Sequence, residues 1–121
     1  MRIVAPVSRL SEIALLAQAG ASEFYCGLVP PEWLGRFHAL SANRRPSGNL
    51  KSYADLAAAV ELAHAHGAML SLVLNAQNYP AAQAEAAVEI AQRFADIGGD
   101  ALIVSDLGLV HLLAARFPAL R

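Results

Sequence analysis

Four short apolar runs along the chain predict β-strands. They cover residues 3–7, 23–26, 69–74 and 101–104, and turn-forming residues bound each of them. The central parts of the first and last runs do not alternate with polar positions. Strands that are covered on both faces, as in parallel sheets, have this continuous apolar pattern. We therefore expect the four strands to form a parallel sheet.

Between these runs, apolar residues recur at the three- and four-residue spacing of amphipathic helices. The predicted helices lie at residues 9–19, from the Ser52 cap to Gly67, from Pro80 to Gly98, and at 109–116. Ser52 precedes Asp55 by three residues, which is close to the capping box that marks a helix start. The alternation of strand and helix predicts an α/β fold with right-handed crossovers between parallel strands.

Two architectures fit this alternation. One is an open four-stranded sheet, and the other is a (βα)₄ half of a (β/α)₈ barrel of the TIM type. In either case residues 1–121 are expected to form a single unit, because domains commonly contain about 100–150 residues.

One connection is unusually long. Residues 27–51 separate the second strand from the next helix, whereas such βα connections usually have about 2–6 residues. A short helix is expected from Pro30 onward, since proline is favoured in a first helical turn. Acidic residues are absent between Trp33 and Ala54, and four cations occur there: Arg36, Arg44, Arg45 and Lys51. A connection of this length is usually functional or partly structured.

The segment at 43–49, Asn-Arg-Arg-Pro-Ser-Gly-Asn, combines two guanidinium groups with amides and a turn-forming glycine. Arginine presents a planar fork of N–H donors that suits bidentate binding of a carboxylate or phosphate. Asn43, Arg44 and Arg45 are therefore candidates for binding a small anionic ligand. The alternative is a solvated loop whose arginines balance nearby acids.

Further candidates lie at the C-terminal ends of the predicted strands, where α/β folds carry their functional face. Asn75 and Asp106 each follow an apolar strand, so both are candidates to line a ligand site. Alternatively, they cap the next helix or hold a turn. Tyr25 is a candidate for an apolar wall of the site, or it fixes the long loop to the sheet. Cys26 is a candidate nucleophile, which would need a base beside it, or a small buried thiol.

Five segments of the chain occur in a characteristic order. They are 4–6 (Val-Ala-Pro), 20–27 (Gly-Ala-Ser-Glu-Phe-Tyr-Cys-Gly), 63–67 (Ala-His-Ala-His-Gly), 72–75 (Leu-Val-Leu-Asn) and 98–106 (Gly-Gly-Asp-Ala-Leu-Ile-Val-Ser-Asp). In this order and spacing they resemble the N-terminal part of peptidase family U32, the collagenase-like proteins. The resemblance covers nearly the whole chain.

The resemblance implies a (β/α)₈ barrel, of which residues 1–121 would be the N-terminal half within a longer protein. The family name implies peptidase activity. Other members resemble enzymes that modify RNA or quinones by oxygen-independent hydroxylation, several of them with an iron–sulfur cluster. The cluster cysteines of such members lie beyond the matched region. We therefore expect no cofactor in this chain, and a cluster only in a further C-terminal part.

Composition and net charge limit the binding partners and the cellular location that we expect for this chain. The net charge of −1 does not indicate a nucleic-acid partner, and no apolar run reaches the roughly 18 residues that cross a bilayer. A single cysteine excludes a disulfide within the chain. We expect a cytoplasmic protein without a membrane partner. The open edges of a half-barrel also predict a homodimer that completes the ring.

Common catalytic motifs are missing from the sequence. It contains no His-Glu-x-x-His, Gly-x-Ser-x-Gly or Cys-x-x-Cys, so neither catalytic residues nor a metal site can be assigned from motifs. The resemblance leads us to expect half of a collagenase-like peptidase with a barrel-top site for an anionic substrate of peptide or RNA type. The alternatives are a hydroxylase-type enzyme of the same family and a non-catalytic binding or structural module.

Overall fold

The computed structural model describes residues 1–38, 42–45 and 47–121, within which strands and helices alternate. In chain order the elements are β1 (Val4–Pro6), α1 (Ser11–Gln18), β2 (Glu23–Leu28), α2 (Pro31–Phe37), β3 (Asn49–Leu50), α3 (Tyr53–Ala65), β4 (Met69–Leu74), α4 (Ala81–Asp96), β5 (Ala101–Val104) and α5 (Leu107–Arg116). None of the described helices has the length and apolar character needed to cross a membrane.

The five strands form one parallel sheet. Four of them lie side by side in the same order in which they occur along the chain. The order is β1-β2-β4-β5, and β3 pairs with β2 beside this path. Glu23 of β2 lies opposite both Val4 of β1 and Met69 of β4, and Ser71 of β4 lies opposite Ala101 of β5. The predicted α/β fold with parallel strands is therefore confirmed. The strand order is consistent with a partial βα barrel.

Side-chain caps explain where two of the helices begin. The Ser52 hydroxyl accepts a hydrogen bond from the Asp55 N–H at 3.1 Å, which fixes the start of α3 as the sequence predicts. The helix predicted from residue 109 begins earlier, at Leu107. Its cap is Asp106, whose carboxylate accepts a hydrogen bond from the Leu109 N–H at 2.9 Å. Asp106 thus provides the first-turn acceptor that an N-terminus requires.

The long connection at 27–51 contains the helix that its prolines predict. α2 begins directly after Pro30, and the Trp33 and Phe37 rings meet edge to face with their centroids 4.8 Å apart. Trp33 is buried in the core, so this aromatic pair fixes the first part of the connection to the domain. Residues 39–41 and Pro46 of the connection lie outside the described residues.

The strand β3 is an element that the sequence does not predict. The Gly27 N–H donates to the Gly48 carbonyl at 3.1 Å, and the Tyr25 carbonyl accepts from the Val7 N–H at 2.9 Å. Tyr25 and Gly27 are two residues apart, so their backbone groups point to the same edge of β2. β3 therefore follows β1 along that edge, and it brings the end of the long connection to the carboxyl end of the sheet.

The two faces of the sheet differ in burial. Phe24, Leu70 and Leu72 alternate with oppositely directed neighbours and are fully buried in the core shared with the helices. On the other face, Val4 is 48% exposed and Ile103 is 38% exposed. The expectation that every strand is covered on both faces is therefore wrong for the outer strands β1 and β5. A homodimer that covers this open face stays a prediction.

Candidate functional site

A cleft of about 500 Å³ opens at the carboxyl ends of β1, β2 and β4. Its lining comes from the β1 end and the first turn of α1, from β2 and β4, and from the long connection: Pro6, Val7, Ser8, Glu12, Tyr25, Gly27, Asn43, Arg44, Arg45, Ser47, Gly48, Val73 and Asn75. Parallel βα folds bind their ligands at this end of the strands.

The arginine-bearing segment 42–45 is attached to the end of β4 through its backbone. The Arg44 N–H donates to Asn75 Oδ1 at 3.0 Å. Ala42 is fully buried and Asn43 is 8% exposed, although both belong to a loop. The backbone that precedes the two arginines is therefore packed against the domain.

A pair of amide side chains closes the loop over β2. Asn43 Nδ2 donates to Asn49 Oδ1, and Asn43 Oδ1 accepts from the Arg45 N–H at 2.9 Å. Asn49 Nδ2 in turn donates to the Arg45 carbonyl at 2.9 Å. A Cβ atom at Gly27 would lie 2.1 Å from both Asn43 Nδ2 and Asn49 Oδ1. Only glycine leaves room for this pair, because it has no side chain.

Tyr79 connects the loop to two further elements. Its hydroxyl donates to the Ala42 carbonyl and accepts from the Ala76 N–H at 3.2 Å, and its own N–H donates to Asp106 Oδ2 at 3.0 Å. Burial raises the pKa of Tyr79 to about 12, so the hydroxyl keeps its proton near neutral pH. Hydrogen bonds from the backbone of Leu109 and of Tyr79 hold the pKa of Asp106 below its usual range.

The two arginines of the loop are exposed and lack an acidic partner among the described residues. The acidic residue in the cleft lining is Glu12. The Ser8 N–H donates to its carboxylate at 2.7 Å and holds the pKa of Glu12 below its usual range, and the Arg9 N–H donates to the same oxygen at 3.1 Å. Glu12 is therefore occupied with the start of α1, and Arg44 and Arg45 of the cleft lining have no acidic partner in the part of the chain that the structure describes.

The structure brings together five of the seven candidate residues. The cleft is lined by Tyr25, Asn43, Arg44, Arg45 and Asn75. Cys26 and Asp106 are not part of its lining. Cys26 follows Tyr25 in β2, so its side chain points to the opposite, helix-covered face, where it is 1% exposed and burial raises its pKa to about 12. Asp106 caps α5, so both residues have the structural roles considered as alternatives above.

Tyr79 and the requirement for glycine at position 27 are features that sequence reasoning missed. Tyr79 lies four residues beyond Asn75, in a turn before a proline, and nothing in that spacing indicates a contact with residue 42. The Gly27 requirement depends on two asparagines that fold over β2. The sequence does contain one indication of this requirement, because Asn43 and Asn49 lie on the two sides of the arginine pair.

The described residues contain no group of three or more His, Cys, Asp or Glu side chains that could hold a metal ion. Iron–sulfur clusters are held by about four cysteine thiolates. Cys26 is the single cysteine of the chain and is buried in the core. The described residues of this chain therefore do not supply the ligands of an iron–sulfur cluster.

Comparison with known proteins gives the family. No curated protein sequence matches the chain. The sequence model of Peptidase family U32 matches residues 8–121, which is almost the entire chain. The match spans every element from α1 to α5 and every residue that lines the cleft beyond Val7. The chain therefore belongs to peptidase family U32.

Proposed function

We propose that this chain is the N-terminal (βα)₄ half of a (β/α)₈ barrel in a U32 peptidase, and that its cleft binds an anionic group of the substrate. Arg44 and Arg45 are the residues that bind this group. The observation that carries the proposal is that both arginines belong to the lining of the cleft and have no acidic partner among the described residues.

The attachment of the loop favours binding by these side chains. Hydrogen bonds to Asn75 and Asn43 hold the backbone of Arg44 and Arg45 in place without a ligand. Binding then costs less conformational entropy than it would if a mobile loop had to be ordered. A hydrogen bond between a guanidinium and a carboxylate or phosphate is about twice as strong as one between neutral groups.

The shape and charge of the cleft favour a peptide-type substrate that bears a carboxylate. An RNA phosphate would present the same kind of anion. However, the net charge of −1 does not indicate the basic character that favours binding to a nucleic-acid backbone. Tyr25 and Val73 provide apolar contacts in the same cleft, which suits the side chains of a peptide.

The geometry of this half supports substrate binding more directly than bond cleavage. The Ser8 hydroxyl lies 3.3 Å from Glu12 Oε2, but a carboxylate with a lowered pKa is a weak general base. The thiol of Cys26 is buried on the other face of the sheet. We infer that the reacting groups come from the other half of the barrel, for a peptidase and for the hydroxylase-type alternative alike.

The test compares phosphate and succinate binding in the wild type and in the double variant Arg44→Ala/Arg45→Ala. Ligand at 100 times Kd should stabilise the wild type by about 2.7 kcal/mol, and the effect should shrink with added salt. The double variant should lose this stabilisation. Its melting temperature without ligand should stay nearly unchanged, because exposed charges contribute little to folding. Thermal denaturation and calorimetric titration measure both quantities.

The matched control is Lys51→Ala/Arg116→Ala. It removes the same charge from exposed positions outside the cleft lining, so it should bind both anions as the wild type does. Two results would contradict the proposal. One is binding that persists in the arginine double variant. The other is a melting temperature several degrees lower in that variant, which would make the arginines structural contacts of the loop.

A further inference from the structure

We propose that Tyr79 is a positioning residue of the anion site, an inference that rests on the proposed function. Tyr79 does not line the cleft. Its hydroxyl donates to the carbonyl of Ala42, two residues before Arg44. Tyr79 therefore acts on the bound anion through the loop and not by contact.

The loop segment is held on both sides of its arginines, and Tyr79 provides the contact at the N-terminal side. The Arg44 N–H is bound by Asn75, and the Arg45 backbone is bound by the amides of Asn43 and Asn49. The Ala42 carbonyl is bound by Tyr79. This carbonyl belongs to a fully buried residue, so without the hydroxyl it would lose a partner in a place where an unsatisfied polar group is costly.

Asp106 fixes the position of the Tyr79 hydroxyl by binding the backbone of Tyr79. Its carboxylate accepts the Tyr79 N–H at 3.0 Å with one oxygen and the Leu109 N–H at 2.9 Å with the other. The start of α5 is thereby linked to Tyr79, and Tyr79 to the loop. Asn75 follows β4 and Asp106 follows β5, so the ends of two neighbouring strands together set the position of the arginine pair.

Loss of the hydroxyl should lower the population of the binding-competent loop. A single hydrogen bond has a net effect on an equilibrium of about fivefold. The apparent Kd rises in inverse proportion to the competent fraction. We therefore expect Tyr79→Phe to bind inorganic phosphate more weakly, by up to about fivefold, with Arg44 and Arg45 intact.

The matched control is Tyr53→Phe. Tyr53 is also partly buried, and burial raises its pKa to about 12, as for Tyr79. It packs under Arg93, whose guanidinium lies 4.3 Å from the ring centroid, and it does not line the cleft. The same chemical change at Tyr53 should leave the affinity for phosphate unchanged.

The experiment is an NMR titration of the wild-type chain and both variants with inorganic phosphate, together with hydrogen exchange of the Arg44 amide. The inference predicts weaker binding and faster Arg44 exchange in Tyr79→Phe only. If the wild type does not bind phosphate, the proposed function fails and this inference fails with it. If the wild type binds and Tyr79→Phe binds equally well, this inference alone is overturned.

A second variant answers the question if Tyr79→Phe does not fold. Asp106→Asn keeps one oxygen for the helix cap and replaces the oxygen that accepts the Tyr79 N–H with an amide nitrogen, which cannot accept, so that bond is lost. It also removes a negative charge from the same end of the sheet, which by electrostatics alone would tighten phosphate binding. Weaker binding in Asp106→Asn therefore supports positioning, and unchanged or tighter binding overturns it.

Discussion

The two ends of the sheet differ in whether their charged side chains have ion-pair partners. At the amino end, Glu23 pairs with Arg2 at 2.7 Å and with Arg121 at 3.6 Å, and Asp100 pairs with His64 at 2.9 Å. At the carboxyl end, the exposed guanidinium groups of Arg44 and Arg45 have no acidic partner among the described residues, and the hydrogen bonds of these two residues are made by their backbone.

Under the proposed function, this difference separates a structural network from a binding site. The Asp100 carboxylate also accepts a hydrogen bond from the Leu70 N–H at 2.8 Å, and the Ser71 hydroxyl donates to Glu23 at 3.1 Å. The acids at the amino end therefore bind residues of the sheet. At the carboxyl end, the guanidinium groups of Arg44 and Arg45 are the charges that the proposed function assigns to a ligand. In βα barrels the amino end of the strands is associated with stability and the carboxyl end with function. The proposed function follows this division.

The largest loss of stability is expected from Gly99→Ala, at the amino end of β5. A Cβ atom there would lie 2.3 Å from the ring of Phe94, which is fully buried and cannot move aside. Overpacking of a core costs about 1–3 kcal/mol. We expect this loss in the free energy of unfolding by urea, with unchanged phosphate affinity of the folded protein. A loss of affinity would show that the two ends are coupled.

Gly27→Ala, at the carboxyl end, should have the opposite effect: it should weaken phosphate binding more than it lowers the free energy of unfolding. The new methyl group would displace the amides of Asn43 and Asn49, which are side chains and can move, so the loop should yield before the core does. A competent loop fraction lowered to about a tenth would raise the apparent Kd for phosphate about tenfold. Calorimetric titration measures this change.

The control for that substitution is Gly35→Ala in α2. A Cβ atom at Gly35 meets nothing within 4 Å, and alanine favours a helix over glycine by about 1 kcal/mol. Gly35→Ala should therefore keep the affinity and raise the stability slightly. Equal affinity in Gly27→Ala and Gly35→Ala would contradict the role given to the amide pair.

A smaller effect is expected from Glu23→Ala. The Glu23 side chain is 15% exposed, but its partners Arg2 and Arg121 are about half exposed, and pairs of this kind contribute about 1 kcal/mol or less. Glu23→Gln should lose less, because it keeps an acceptor for the Ser71 hydroxyl. Urea unfolding at low and high salt checks both values. A change in phosphate affinity would count against the separation of the two ends.

The smallest effect concerns the pH dependence of stability at the carboxyl end. The folded-state pKa of Asp106 is lowered by the Leu109 and Tyr79 N–H groups, so its contribution is present above the unfolded-state value of about 4. It is lost as the pH falls through the lowered folded-state pKa. The stability of Asp106→Asn should therefore fall less steeply below pH 4 or so than that of the wild type. Parallel acid curves for the two proteins would contradict this assignment.

Much of the fold could be predicted because it depends on local patterns. The apolar runs at β4 and β5 have the observed bounds, and Ser52 marks the start of α3. β3 could not be predicted, since Asn49 and Leu50 have no strand pattern and pair only because β2 extends past β1. Its position depends on tertiary structure and not on local preference.

The candidate site could be predicted where strand geometry alone decides it. Asn75 meets the arginine loop because parallel strands end at the same edge. The side chains of Tyr25 and Cys26 point to opposite faces of the sheet because neighbouring residues alternate along a strand, so the two cannot line the same cleft. Tyr79 could not be found, because its contact with Ala42 joins residues that only the folded chain brings together.

The way the loop is held has a consequence for how new specificities arise. Among the described residues, the hydrogen bonds that fix the arginine pair join main-chain atoms of residues 42, 44 and 45 to side chains other than those of the arginines. We therefore expect any residue other than proline, which lacks the N–H donor, to keep the loop conformation at positions 44 and 45. Binding preference and foldability are thus encoded at different positions, which lets the first change by single substitutions. A library randomised at 44 and 45 should fold as often as the parent chain, whereas one randomised at 27 and 43 should not.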